Sequence, residues 1–93
     1  MYFENIYHRA ACTAYNACRI AVGYDKLPED SEQVIQQSLT TLAMQHYDNP
    51  HTADKLLEAW IAESDVIAAL QPKQRTKCME MIALIFASYW DLV

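Results

Sequence analysis

The sequence is short of the residues that build loops. It holds one glycine and three prolines in 93 residues. That excludes a Gly-rich phosphate cradle and most of the tight turns on which hydrolytic sites are mounted. It has no CxxC pair, no HExxH and no GxSxG, so neither a zinc ribbon nor a metalloprotease or esterase signature is present. Basic residues are scarce: seven Lys and Arg stand against twelve Asp and Glu, for a formal charge of −5. A chain so charged lacks the dense cationic surface that releases counterions from nucleic acid, which argues against direct nucleic-acid binding. The longest apolar stretch, Met81 to Trp90, is far shorter than the ~20 residues that span a bilayer. No signal peptide opens the sequence, and Cys12, Cys18 and Cys78 form an odd set. A reducing, cytoplasmic setting is therefore expected, with the thiols serving as small core residues.

What the sequence does have is apolar mass. Hydrophobic residues make up 53% of it, above the usual ~45–50% even with glycine left out. One domain over residues 1–93 is expected, burying about 60–65% of the surface of its unfolded chain. Phe3, Tyr7, Ala10, Ala14, Ala17 and Ala21 recur at helical spacing, and Gly23 stands where a left-handed residue closes a helix. Asp30 or Ser31 can cap the next helix, with Gln33 in capping-box register to Asp30. Ile35, Leu39, Leu42 and Tyr47 mark its inner side. Asn49 can cap and Pro50 can open a third helix, whose stripe is Ala53, Leu57, Trp60, Ser64 and Ile67. Ser64-Asp65 reads either as a polar pair within that helix or as the cap of a short separate turn. Gln71-Pro72 ends the segment, because a residue before proline is steered from helical geometry. The pattern predicts an all-α, four-helix domain with helices near 3–22, 29–47, 50–70 and 72–92.

The fourth helix carries only two charges, Glu80 and Asp91, from Cys78 to its end. Ile82, Ile85, Tyr89 and Leu92 form one face. Leu84, Phe86 and Trp90 project elsewhere. A helix apolar nearly all round must be covered nearly all round, so the expectation is a homodimer through this helix, with Leu84, Phe86 and Trp90 at the contact. Lys73, Arg75 and Lys77 lie in its first turns, where cations oppose the helix dipole. They read either as a solvated helix start or as a contact for a phosphate or acidic partner. Six Tyr, two Trp and two Phe exceed what a small helical core needs, and aromatics are enriched at binding hot spots.

Chemistry finds little footing. His8 and Cys12 have half of a zinc spacing, which His46 and His51 would have to complete; Cys18 is too far along the helix. Glu58 and Glu63 do not aim two carboxylates at one point. A Cys–His dyad would need supporting loops the chain does not have. The expectation is a protein with no catalytic residue, no metal and no cofactor.

The run Ser31-Glu32-Gln33-Val34-Ile35-Gln36-Gln37-Ser38-Leu39-Thr40-Thr41-Leu42 resembles the second-helix region of the small bacterial YmgB/AriR family of biofilm and acid-stress regulators. Leu56, Leu57, Trp60, Ser64 and Asp65, then Arg75 to Ile85, follow that family's order across roughly residues 30–87, with small gaps. The resemblance implies a helical homodimer that acts by protein contact on a signalling regulator, connecting to two-component signalling, and it brings no catalytic residue. The departures are the longer chain, the added aromatics, Gln71-Pro72 and the N-terminal helix. The sequence thus points to a non-enzymatic protein-binding regulator acting on a signalling or transcription partner. The alternative is an inhibitor encoded by a phage or mobile element that covers a host factor, for which Asp25, Glu29, Asp30 and Glu32 give a short acidic cluster.

Overall fold

The computed structural model describes residues 2–23, 27 and 32–91, with side chains described from Ile6 onward. Five helices follow one another: α1 (Tyr2–Val22), α2 (Glu32–Asp48), α3 (Ala53–Glu63), α4 (Asp65–Ala68) and α5 (Pro72–Trp90). A 3-10 turn, Pro50–Thr52, leads into α3, and no strand occurs among the described residues. The all-α expectation holds, and none of these helices is long and apolar enough to cross a membrane.

The first helix is the centre of the molecule. Ala10, Ala11 and Ala14 are wholly buried, with Tyr7, Tyr15, Cys18 and Val22 beside them. Alanine lets neighbouring backbones approach closely, so α1 takes α2 on one side and α5 on the other, its two most extensive packings. The buried set runs through Tyr15, Cys18 and Val22; Ala17 and Ala21, which the sequence stripe favoured, are only half-buried. Gly23 ends the helix at φ 100°, its N–H bonded to the Arg19 carbonyl at 2.8 Å. Glycine holds that conformation without a Cβ penalty. Leu27, fully buried, plugs the connection that follows. The caps expected at Asp30 and Ser31 lie outside the described residues. Arg19 and Glu32 face each other at 4.0 Å where α1 and α2 meet, a partly exposed pair of small energetic weight.

The second helix turns Ile35, Leu39, Leu42 and Ala43 inward. After it, Asn49 does not cap forward. Its side-chain amide donates back to the Gln45 carbonyl at 3.0 Å, which closes the C-terminal end of α2. The third predicted helix is two. Ser64 adopts an extended backbone, φ −82° and ψ 108°, so α3 stops there and the short α4 restarts, with Ala68 N–H bonded to the Ser64 carbonyl at 2.7 Å. The restart lets Ile67 and Leu70 reach the core. Gln71 is extended ahead of Pro72, as the proline demands. Its N–H donates to Gln74 Oε1 at 3.2 Å.

The last helix corrects one expectation. It buries a single stripe, Cys78, Ile82 and Phe86, with Ile85, Tyr89 and Trp90 half-covered beside it. Phe86 is 0% exposed: it belongs to the core of this one chain, because α1 and the end of α2 together cover more of α5 than three short helices were expected to. Leu84, at 62% exposure, does face solvent. Leu92 lies outside the described residues. The radius of gyration, 12.2 Å, equals that of a compact single domain of this length, roughly 12 Å.

Candidate interaction groove

The surface between α2 and α3 is open. On α2, Val34, Ser38, Thr41 and Gln45 repeat at helical spacing and lie beside the buried Ile35–Leu39–Leu42 stripe. On α3 the facing residues are Leu56, Ala59, Trp60 and Glu63. Two clefts, of about 450 and 440 Å³, meet at Ser38, Trp60 and Glu63. The Trp60 indole N–H donates to Ser38 Oγ at 2.6 Å. That bond ties the two helices together and fixes the indole as the floor of the groove. Val34 is 69% exposed at the lip of the first cleft, which Glu63, Ser64, Asp65 and Val66 close at the other end.

The electrostatics of the groove have one sign. Glu63 and Asp65 are the acidic side chains lining it, on either side of the Ser64 break between α3 and α4. An apolar floor with a negative end suits a side chain that ends in a cation.

The far end of the bundle is closed by rings. Trp90 Nε1 donates to His46 Nδ1 at 3.0 Å, and His46 stands edge-on to Phe86 at 5.3 Å. Tyr7 and Tyr47 pack on Trp90 at 5.8 and 5.2 Å. Burial lowers the His46 pKa, and nearby Asp54 opposes this only in part. The Nδ1 lone pair is used by Trp90, so the neutral imidazole carries its proton on Nε2. Burial first, then the nearby Asp48 charge and Tyr47, raises the Tyr7 pKa. These rings act as a lock between α1, α2 and α5, and Trp90 is spent on it.

Of the residues singled out in the sequence, Leu84 is exposed, Trp90 half-buried in the ring cluster and Phe86 internal, so the three do not form one surface. Lys73 and Lys77 are exposed. Arg75 is drawn inward: its guanidinium donates to the Ala68 carbonyl at 3.2 Å. That is a cation on the C-terminal end of α4, a favourable placement. Arg75 also lines a smaller cleft of about 270 Å³ between α3 and α5. His8 Nε2 and Cys12 Sγ meet at 3.5 Å, but no group of three His, Cys, Asp or Glu suited to a metal occurs among the described residues. The groove itself was hidden in the sequence by its mixed polarity; the spacing of Val34, Ser38, Thr41 and Gln45 was the available signal. Compared with known proteins, the chain matches no family model, no curated protein and no solved structure.

Proposed function

We propose that the chain is a non-enzymatic, cytoplasmic protein-binding regulator that holds its signalling or transcription partner in the α2/α3 groove. The observation that carries this is the groove with Trp60 at its floor and Glu63 and Asp65 at its end. The partner best suited to it presents an apolar side chain next to Lys or Arg. Trp anchors of this kind concentrate binding energy. The resemblance of residues 30–87 to the YmgB/AriR family supports the same class of function. A homodimer through α5 now rests on Leu84, since Phe86 is internal.

Affinity capture with variants tests the reading. Ala59→Arg fills the groove and Glu63→Lys reverses its charge; both positions are exposed, so helicity should persist. Leu84→Ser alters the solvent face of α5. A protein held by the parent chain and by Leu84→Ser, but lost from both groove variants, supports the proposal. Capture that survives both groove changes, or that follows Leu84, overturns it. Sedimentation of the parent and Leu84→Ser chains at low micromolar concentration settles the dimer.

A further inference from the structure

We propose that Cys18 and Cys78 are a redox-active thiol pair that closes to an intrachain disulfide between α1 and α5 when the protein meets a peroxide. The two cysteines stand 60 positions apart in sequence, yet Cys18 Sγ lies 3.6 Å from the Cys78 carbonyl oxygen and donates to it. Each thiol also influences the ionisation of the other. Both side chains are buried, at 2% and 0% exposure, and both thiols are free.

The helix register explains the juxtaposition. Helices α1 and α5 run antiparallel, with Tyr7 against Trp90 at one end. Counting from that pair along each helix by nearly the same number of residues arrives at Cys18 and Cys78. Helix axes 8–10 Å apart, with Cα atoms on cylinders of radius about 2.3 Å, put directly facing Cα atoms roughly 3.5–5.5 Å apart, which overlaps the span a disulfide needs. The fully buried Ala10, Ala11 and Ala14 keep α1 close to its neighbours. Cys12 does not compete. It lies on another side of α1, where its sulfur meets His8.

The environment also orders the chemistry. The neighbouring Cys18 side chain lowers the Cys78 pKa against the effect of burial, while the Cys78 side chain and burial raise the Cys18 pKa. Of the two, Cys78 is thus the sulfur favoured to ionise. Its thiolate attacks a peroxide oxygen; the S–O bond forms, the O–O bond breaks, and the departing hydroxide takes a proton to become water. The Cys18 sulfur then attacks the Cys78 sulfenic acid. The S–S bond forms, the S–O bond breaks, and the Cys18 proton leaves with that oxygen as a second water. The two sulfurs lose two electrons and the peroxide gains them. Because both thiols are buried, the first step waits on local opening of the α1/α5 contact and is slower than at an exposed thiol.

The test is mass spectrometry of the folded chain after hydrogen peroxide treatment, without reductant. Tryptic cuts after Arg9, Arg19 and Lys77 place Cys12 and Cys18 in one peptide and Cys78 in another, so the Cys12→Ser chain gives an unambiguous map. In the unaltered chain, chymotryptic cleavage after Tyr15 separates Cys12 from Cys18 and serves the same end. The expected result is loss of two hydrogens, a Cys18–Cys78 cross-link reversed by dithiothreitol, and a thermal midpoint raised by more than ~5 °C. Cys18→Ser should instead let Cys78 advance to sulfinic acid. A link between chains, a link through Cys12, sulfinic Cys78 in the chain that retains Cys18, or a lowered midpoint on oxidation would each overturn the proposal.

Discussion

Replacing Phe86 by alanine separates two accounts of the C-terminal helix. If Phe86 were an interface residue, its truncation would weaken association and leave the folded chain intact. The structure encloses it completely, against His46 at 5.3 Å and Trp90 at 5.6 Å. Removing a buried phenylalanine down to Cβ costs about 3–5 kcal/mol, from lost transfer energy plus the cavity left behind. A domain of this length is stable by roughly 5–14 kcal/mol in total. The substitution therefore takes away a large part of the margin. With a urea slope of ~1–2 kcal/mol/M, the denaturation midpoint should fall by roughly 1.5–5 M. The assay is urea titration followed by circular dichroism, repeated at two protein concentrations. A midpoint moved by less than about 0.5 M, or one that shifts with concentration in the parent chain and not in the variant, would refute the core assignment. Phe86→Glu should be worse than Phe86→Ala, because an unpaired carboxylate resists burial.

Three further outcomes follow from the geometry. Because burial lowers the His46 pKa in the folded chain, the unfolded chain takes up the proton first; stability should be full above about pH 6.5 and decline as pH falls through the window below it. His46→Gln, which keeps an acceptor for Trp90 and removes the titration, should flatten that decline in urea titrations between about pH 6.5 and 5.5; an unchanged slope would show that His46 is not its source. Ala14→Leu should cost about 1–3 kcal/mol by overpacking α1, read as a lowered thermal midpoint, and a neutral result would mean α1 is less tightly enclosed than the structure shows. Trp60→Phe keeps most of the buried ring but loses the bond to Ser38, and about 0.5–1.5 kcal/mol of stability with it; a double-mutant cycle with Ser38→Ala measures that coupling directly.

The parts of the fold that were legible are those written in local chemistry. Gly23 and Gln71-Pro72 act within a few residues and sit where the spacing placed them, and the stripes located the helices, though burial on α1 runs through Tyr15, Cys18 and Val22 and leaves Ala17 and Ala21 half-covered. Ser64 was legible only as an alternative, since a Ser-Asp pair suits a helix interior and a cap equally well; the pull of Ile67 and Leu70 into the core decided it. Asn49 and Pro50 stand at the cap and first positions the spacing gave them, but the Asn49 side chain bonds backward, because an asparagine between two helices can bond in either direction. The fate of Phe86 was not legible at all, for a reason of packing rather than pattern. Helical periodicity says which residues share a face of α5, but the number of faces that are covered depends on how closely its neighbours approach.

That approach is set by α1, and its consequence reaches the candidate site. A central helix with alanine at the contact admits α2 and α5 on both sides at once, so the apolar surplus of the C-terminal helix is largely absorbed within one chain. Helices α2 and α3, by contrast, meet through Trp60 and Ser38 across an incompletely filled groove. In sequence, Val34, Ser38, Thr41 and Gln45 look like an ordinary solvated stripe, and only the antiparallel placement of α3 turns them into one wall of a cleft. The same crowding that removes Phe86 from the surface is why the contact we propose lies on the second and third helices and not on the last. Leu84 offers a direct contrast: it stands exposed beside Glu80, Ala87 and Ser88, whereas Val34 adjoins a cleft that already holds Trp60.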